Sequence, residues 1–464
     1  MIAVRSTRHR TGASWPAPVR LALAILVSLI LALQPAAADT VLRDSETEAY
    51  FNEIAKPLIV AAGLDPNNVK VMLVGDMDIN AFVAGGQIVY INAGLIKAAD
   101  NTDQLQGVIA HELGHVAGGH AINSAGGREA TGITILSLLL AGMAAAAGGG
   151  EAAMGVLGAG QQAAMGKYLA FSRTQEASAD AAAVGYLLKA HVSGKGSLDF
   201  FKKLEHEEYR LSSSYEDTDP FAQTHPMSAD RIANLEQSYK ASPWWNAKTD
   251  PTLDARFARI RAKLIGYVED PEQTLKIYPE SDHSVAGMYA RAFAWHRAAY
   301  PDKAQEEVAK LVATAPHDPY FLELKGQILL ESGKPYDAIP VLREAVQRAP
   351  NQPLIASLFG HALIATEDPK NFAEAKGVLK AALARDDENP FAWYQLGVVY
   401  DREGDQARAA LASAERYNLE GNAQMALVNA RLALAGIPTG TPDWIRAQDI
   451  AMVSENAMTK KKKS

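Results

Sequence analysis

Hydrophobic and polar residues alternate in two different ways along the chain. Residues 68–75 and 80–96 contain short β-rich runs, and an Ala-Gly-Gly stretch inside the second run predicts a β-hairpin. A helix is expected to begin at Asn101, which can cap it with Gln104 three residues further on. Strands mixed with helices in this way predict an α+β domain over residues 39–240.

From residue 285 onward the chain repeats itself with a spacing of 34 to 37 residues. Similar units begin at Val285, Pro319, Pro353 and Pro390. Small residues recur at matching positions inside the units, which lets two helices approach closely, as in tetratricopeptide helix pairs. We therefore expect an all-α repeat solenoid over residues 285–435. A linker with one helix should precede it over 241–284, and a C-terminal helix and basic tail should follow over 436–464.

The first 38 residues have the pattern of a secretory signal peptide. Four arginines precede an apolar run at 21–33, and Ala36 and Ala38 offer a small-residue cleavage site. The apolar run is shorter than the roughly 20 residues that a membrane span needs, and an uncleaved membrane anchor is the alternative. We expect the mature chain to begin near Asp39 and to be a periplasmic protein.

Composition and charge narrow the possible classes. The chain contains no cysteine, which excludes disulfides and also excludes a lipid anchor on an N-terminal cysteine. The net charge is −8, and removal of the arginine-bearing leader makes the mature chain more acidic, so no nucleic-acid partner is expected. The basic tail at Lys460–Lys463 is expected to be solvated, with a peripheral contact to an anionic membrane as the alternative.

The strongest chemical signal is the sequence HELGH at residues 111–115. Residues four apart share one face of a helix, so His111 and His115 can present two imidazoles to one metal ion. Glu112 lies beside them and can serve as general base for a water that zinc activates. A catalytic zinc site needs three protein ligands and an open position, so these two histidines leave it incomplete. We expect one Zn²⁺ per chain.

His120 is not expected to be the third ligand. In a compact H-E-x-x-H-x-x-G-x-x-H site Gly118 would be in place, but the last position is occupied by Ala121. If the helix continues, His120 lies about 180° around it from His111. We interpret His120 as an exposed or packing histidine.

An alanine-rich segment at 170–188 supplies a better third ligand. Glu176 and Asp180 are four apart and surrounded by alanines, so their helix can approach the histidine-bearing helix closely. We predict that Glu176 binds zinc and that Asp180 accepts a hydrogen bond from the outer N–H of a ligand histidine. The alternative is a solvated acidic face.

HELGH, the later SRTQEASAD and the preceding NAFVAGGQIVYINAGLI together resemble the gluzincin family, which includes the prenyl-protein (CAAX) endopeptidases and the membrane protease HtpX. The resemblance implies a zincin-like metallopeptidase fold for the α+β domain. It implies that His111, His115 and Glu176 bind zinc and that Glu112 is the general base. It also suggests an edge strand that pairs with an extended substrate, formed by Asn80, Phe82, Val83 and Ala84.

The stretch THPMSADRI at 224–232 also resembles an element of that family. His225 could reach the open position of the zinc or hydrogen-bond the oxyanion, and Arg231 could support its loop. The alternative is a purely structural role at the start of a helix that Ser228 caps. In the fourth position His225 would exclude the catalytic water and leave the enzyme latent.

Residues 132–150 form an apolar segment between the two zinc-bearing helices. A membrane span is one interpretation of this segment, and it would make the protein a membrane-embedded protease. We expect instead a buried or surface-lying hairpin next to the active site, because much of the segment is alanine and glycine. Such a hairpin could be a second cover over the site.

The signal peptide and the repeats make the chain resemble a periplasmic branch of the family, which acts in assembly and quality control of outer-membrane β-barrel proteins. This resemblance implies a zinc-dependent endopeptidase, with possible chaperone activity. Its substrates would be misassembled barrel proteins, and its repeats would bind their assembly machinery. The alternative is a repeat-based chaperone or scaffold with a dormant zinc site. The intact Glu112 favours an enzyme, because a structural zinc site needs no general base.

Overall fold

A four-stranded sheet lies in the N-terminal domain. Its strands are β1 (Val41–Leu42), β2 (Lys70–Val74), β3 (Ala81–Ala84) and β4 (Ile88–Asn92). Their spatial order is β1-β2-β4-β3, in which β2 and β4 run parallel while β1 and β3 are antiparallel to their neighbours. β3 is therefore at the edge of the sheet, and within the described residues its outer side pairs with no strand.

In this computed structural model the described residues are 41–120, 172–212, 225 and 229–461. The predicted signal peptide, the apolar segment at 132–150 and the last residues of the basic tail lie outside them. Within these ranges no helix has both the length and the hydrophobicity that crossing a membrane requires.

The predicted hairpin is formed by β3 and β4. Gly85 and Gly86 in its loop have φ angles of +62° and +96°, a left-handed conformation that glycine adopts without a steric cost. The aromatic rings of Phe82 and Tyr90 stack across the two strands with their centroids 5.1 Å apart. This cross-strand pair fixes the register of the edge strand on its neighbour.

Six described helices belong to the same domain as the sheet. They are α1 (Ser45–Ala61), α2 (Ala93–Ala98), α3 (Thr102–Ala117), α4 (described over 172–189), α5 (Lys195–Ser212) and α6 (Ala229–Lys240). α3 begins where the sequence predicts, because the side-chain oxygen of Asn101 accepts a hydrogen bond from the amide of Gln104 at 3.0 Å. Helices and strands share one hydrophobic core, in which Phe51, Ile91 and Leu113 are fully buried.

Helix pairs build the C-terminal part of the chain. They are α9 (Val285–Arg297), α10 (Pro301–Thr314), α11 (Pro319–Glu331), α12 (Pro335–Arg348), α13 (Pro353–Ile364), α14 (Pro369–Leu383), α15 (Pro390–Arg402), α16 (Gln406–Leu419), α17 (Ala423–Gly436) and α18 (Pro442–Lys461). Glycines sit where paired helices touch: a Cβ on Gly326 would lie 2.4 Å from Leu342, and one on Gly360 would lie 2.7 Å from Leu379. The small residues of the repeat pattern thus allow this close packing.

The segment at 241–284 contains two helices, whereas the sequence suggested a linker with one. They are α7 (Pro251–Val268) and α8 (Pro271–Ile277). α7 contributes to the core of the N-terminal domain through Phe257, Ile260 and Leu264, which share one face of the helix. Another face touches α9, because a Cβ on Gly266 would lie 2.5 Å from the carbonyl oxygen of Ala290. α7 is therefore a structural element shared by both parts of the chain.

Buried charges also connect the N-terminal domain to the repeats. Glu46 of α1 has no exposed surface, forms ion pairs with Arg259 and Lys263 of α7, and accepts a hydrogen bond from the Tyr289 hydroxyl of α9 at 3.0 Å. Arg259 also contacts Asp318, the residue before α11, with 2.8 Å between Nη1 and Oδ2. Buried charges are costly unless they are paired, so separating these elements would be strongly unfavourable.

Candidate metal centre

Close packing of α3 on α4 brings the candidate ligands together. A Cβ on Gly114 would lie 2.8 Å from the backbone of Ala179, which is itself fully buried. The two helices can therefore approach each other more closely here than larger residues would allow. As a result, His111 and His115 on α3 face Glu176 on α4.

Atoms of four buried side chains converge on one point. The Nε2 atoms of His111 and His115 are 3.1 Å apart. Oε2 of Glu176 lies 3.3 Å from Nε2 of His111, and Oε1 of Glu176 lies 3.3 Å from Nε2 of His115. Nδ1 of His225 lies 3.0 Å from Oε1 of Glu176 and 3.4 Å from Nε2 of His111. The four ligand atoms lie within 4.8 Å of one another.

This geometry fits a tetrahedral zinc site. Atoms bound to zinc at about 2.0–2.1 Å in a tetrahedron are separated from each other by roughly 3.3 Å. Five separations among the nitrogens of His111, His115 and His225 and the two oxygens of Glu176 lie near this value, between 3.0 and 3.4 Å, and one ligand atom from each residue lies within 4.8 Å of the others. Imidazole nitrogen and carboxylate oxygen are also donors that zinc prefers. The residues present are thus able to hold the metal.

Asp180 and Arg231 support this group from the outside. Nδ1 of His111 lies 3.0 Å from Oδ1 of Asp180. The Arg231 guanidinium contacts Oδ2 of Asp180 at 2.6 Å and Oε2 of Glu176 at 2.9 Å, and its Nη1 is 3.5 Å from the carbonyl oxygen of His225. One arginine on α6 therefore touches α4 at two positions and the backbone of His225.

The ionised carboxylates of the site favour the binding of a metal cation. Burial alone would lower the pKa of His111, but contacts with Asp180 and Glu176 raise it to about 9. Burial would raise the pKa of Glu176, but hydrogen bonds to the three converging histidines hold it well below its usual range. The pKa of Asp180 is lowered too, because contact with Arg231 outweighs the effect of burial. Both carboxylates are therefore ionised at neutral pH.

Glu112 lies next to the converging atoms. Its side chain is buried, and its Oε1 is 3.6 Å from Nε2 of His225. Within the described residues Oε1 has no hydrogen-bond partner. A buried carboxylate oxygen without a partner is costly and typical of functional sites, and this oxygen is placed to accept a proton. Of the stretch around His225, residues 224 and 226–228 lie outside the described residues.

His120 lies beside the site in a position that the sequence reasoning missed. α3 ends at Ala117, so the expected place on the opposite face of a continued helix does not apply. Nδ1 of His120 is instead 2.9 Å from Nδ1 of His115, on the side of that ring that faces away from the other ligands. The signal in the sequence was Gly118-Gly119, because glycines directly after a helical run end the helix.

The predicted substrate strand is β3, which contacts α3. Phe82, Val83 and Ala84 are half-buried. Asn80 precedes the strand, and its carbonyl accepts a hydrogen bond from the amide of Asn92 at 3.0 Å. The strand thus borders the helix that carries HELGH, and the role of these residues in binding substrate stays a prediction.

Comparison with known families assigns both parts of the chain. Residues 45–239 match Peptidase family M48, and residues 289–353 and 370–433 match the tetratricopeptide repeat. The first match contains the converging histidines and glutamate together with Asp180 and Arg231. The second covers most of the helix pairs from α9 to α17.

Curated relatives match either most of this chain or a part of it. The beta-barrel assembly-enhancing protease of Yersinia pestis is 23% identical over 406 residues, which are 86% of this chain and 81% of that protein. Metalloprotease LoiP of Escherichia coli is 32% identical over 202 residues, 43% of this chain and 73% of that protein. A relative from Vibrio cholerae is 25% identical over 291 residues, 61% of this chain, and the chain spans 58% of that relative's length.

Proposed function

We propose that this chain, which belongs to peptidase family M48 and is a metalloendopeptidase, uses one zinc ion held by His111, His115 and Glu176. The observation that carries the proposal is the convergence of these side chains at the spacing of a tetrahedral site. When bound, zinc polarises a peptide carbonyl and makes water a usable nucleophile near neutral pH.

Glu112 is the proposed general base. Its Oε1 is buried and has no hydrogen-bond partner within the described residues, so it is available for a proton from the attacking water. The same carboxyl can then deliver that proton to the nitrogen of the leaving amine. Asp180 and Arg231 keep His111 and Glu176 in place while this happens, because they contact both side chains from behind.

His225 is proposed to hold the enzyme latent. Its Nδ1 lies at the fourth corner of the group, next to Glu176 and His111. That corner is the position that the catalytic water needs, so hydrolysis requires His225 to move away. Only then would a peptide reach the site. The segment that carries His225 connects to α6 and to Arg231, which contacts its backbone.

We propose outer-membrane β-barrel proteins that have failed to assemble as the substrates. Support comes from the name of the Yersinia pestis relative, which matches most of this chain. An unassembled barrel strand is extended and can add to the free edge of β3 by β-augmentation. The repeats would bind the assembly machinery of these proteins. The signal-peptide pattern at 1–38 supports a location in the periplasm.

The test of this function is the Glu112→Gln variant of the full chain, with an unfolded β-barrel protein as substrate. We expect the variant to fold, to keep its zinc and to lose about 10²–10⁴-fold in the rate of hydrolysis, because it lacks the general base. Glu272→Gln, which changes an exposed glutamate on α8, is the matched control and should cleave normally. Equal cleavage by Glu112→Gln and the unmodified protein would refute the assignment.

A chaperone or scaffold role is the second candidate. It is favoured by the position of His225, which blocks the fourth corner of the site. In that case the repeats would act by binding other proteins, and the metal site would be dormant. Cells that carry Glu112→Gln would then assemble outer-membrane proteins normally. If the peptidase role is the correct one, the same cells should accumulate unassembled barrel proteins.

A further inference from the structure

His120 lies beside the metal centre, and the proposed function gives it no role. Its Nδ1 is 2.9 Å from Nδ1 of His115, and the two rings meet edge-on with centroids 4.9 Å apart. Nε2 of His115 is on the other side of the ring, 3.1 Å from Nε2 of His111. His120 therefore contacts the nitrogen of His115 that faces away from the metal position.

A glycine-containing turn brings His120 into this contact. Gly119 has a φ angle of +63°, a left-handed conformation that ends many helices. The amide of Gly119 donates to the carbonyl of Val116 at 3.1 Å, and the amide of His120 donates to the carbonyl of His115 at 3.0 Å. This pair of hydrogen bonds is a Schellman motif. It folds the chain back, so that residue 120 returns to the last turn of α3.

Gly118 provides the room for the His120 ring. A Cβ on Gly118 would lie 2.5 Å from Nε2 of His120 and 2.9 Å from the two adjacent carbons. The φ angle of Gly118 is −73°, which any residue adopts easily. Glycine is therefore needed here for space and not for its backbone freedom. A larger residue would push the imidazole away from His115.

Both candidate histidine ligands thus have a polar side chain close to their outer nitrogen. Nδ1 of His111 lies 3.0 Å from Asp180, as Nδ1 of His115 lies close to His120. Such partners commonly fix the tautomer and the orientation of a ligand imidazole. We propose that His120 is a positioning residue that accepts the Nδ1–H of His115 and keeps Nε2 of His115 unprotonated and aimed at the metal. This inference rests on the proposed zinc site.

The contact fixes the protons on both rings. His115 carries its proton on Nδ1, so His120, which accepts at Nδ1, carries its proton on Nε2. His120 differs in this from Asp180, which places a charged carboxylate next to Nδ1 of His111. The site already contains Glu112 and Glu176 in addition to Asp180. A neutral imidazole orients the second ligand without adding a further negative charge to this buried place.

The test measures zinc affinity of the full mature chain by competition with a chelating indicator. His120→Ala should bind zinc about 10–100-fold more weakly. His120→Asn should bind within a few-fold of the unmodified protein, because its amide oxygen can accept where Nδ1 did. Gly118→Ala keeps the imidazole but crowds it, and should weaken binding like His120→Ala. The double variant with Gly118→Ala and His120→Ala should bind zinc only slightly more weakly than either single variant, because both changes act on the same contact.

Two measurements separate positioning from a loss of structure. Thermal unfolding without metal should be the same for all variants, and the absorption bands of bound Co²⁺ should shift in His120→Ala and return in His120→Asn. His283→Ala, which removes an exposed histidine, is the control and should change nothing. Should His120→Ala fail to fold, Gly118→Ala and His120→Asn still give the comparison.

Equal zinc affinity of His120→Ala and the unmodified protein would overturn the inference and leave the proposed function standing. If the unmodified protein binds no zinc, the proposed function itself is wrong, and the role of His120 falls with it. The two failures are therefore distinguishable in one set of titrations.

Discussion

Arg231 and Asp180 form a two-pronged ion pair in which Nε meets Oδ2 at 2.6 Å and Nη2 meets Oδ1 at 2.9 Å. Both side chains are about nine-tenths buried. The same guanidinium contacts Glu176, and Asp180 contacts His111, so the pair lies directly behind two of the proposed ligands. A planar guanidinium suits this arrangement, because it can serve two carboxylates at once.

Removal of Arg231 should therefore destabilise the N-terminal domain. We expect Arg231→Ala to lower its free energy of unfolding by about 3–5 kcal/mol, because Asp180 is left buried without its partner. Urea unfolding of the metal-free protein measures this. Arg343→Ala breaks the exposed pair with Glu374 and should cost less than about 1 kcal/mol. The proposed role of the pair is wrong if both variants unfold alike.

Loss of the third ligand should abolish tight zinc binding. Glu176→Gln leaves the histidines, including His225 at the fourth corner, but replaces the charged carboxylate with a neutral amide, so we expect zinc affinity to fall on the order of 100-fold or more. The zinc content after dialysis, measured by mass spectrometry, reports the change. Glu272→Gln is the control and should keep its zinc. A full complement of zinc in Glu176→Gln would contradict the ligand assignment.

The effect of removing His225 distinguishes latency from catalysis. If His225 blocks the fourth corner, His225→Ala should hydrolyse an unfolded substrate several-fold faster than the unmodified protein. If instead the imidazole stabilises the oxyanion, the same variant should be about 10²–10³-fold slower. Initial rates under zinc saturation give the sign, and we expect the increase. A decrease would show that the enzyme is not held latent in this way.

The stability of the contact between the N-terminal domain and the repeats should depend on pH through Glu323. This glutamate of α11 hydrogen-bonds with Ser45, and its burial raises its pKa to about 7. The folded protein thus keeps a proton that the unfolded chain has lost, so stability falls as pH rises from about 4.5 to 7. Glu323→Gln does not titrate and so avoids this loss. Over that pH interval its free energy of unfolding should rise by up to roughly 3 kcal/mol relative to that of the unmodified protein.

Thermal unfolding at a series of pH values tests this expectation. The difference between Glu323→Gln and the unmodified protein should grow toward neutral pH and then level off. Glu306→Gln, at an exposed position of α10, should show no such trend. A difference that is the same at every pH would show that Glu323 does not titrate in this interval.

The sequence predicts those features that depend on local spacing. His111 and His115 share a helix face, and Glu176 and Asp180 share another, so each pair could be recognised from a separation of four residues. The repeat helices begin at Val285, Pro319, Pro353 and Pro390, where the sequence pattern predicted the unit starts. The repeat architecture is confirmed by the match of both repeat ranges to the tetratricopeptide repeat.

Contacts between distant positions were harder to foresee. Glu46 and Arg259 are 213 residues apart, and nothing in their local sequence marks them as a buried pair. The contribution of α7 to the core was missed because an amphipathic helix looks the same whether it connects two domains or belongs to one. His120 packs against another side chain, which is one of the two expected roles, but its location could not be foreseen because the 180° separation from His111 holds only for a helix that continues past Ala117.

α7 packs on both the N-terminal domain and the repeats. The two parts therefore cannot be separated by cutting the chain at residue 240, where the N-terminal domain was expected to end. A fragment that stops at residue 240 would lack Phe257, Ile260 and Leu264 and would present an open apolar cleft to water. Recombination or protein engineering that exchanges the repeats should therefore retain this helix with the catalytic half.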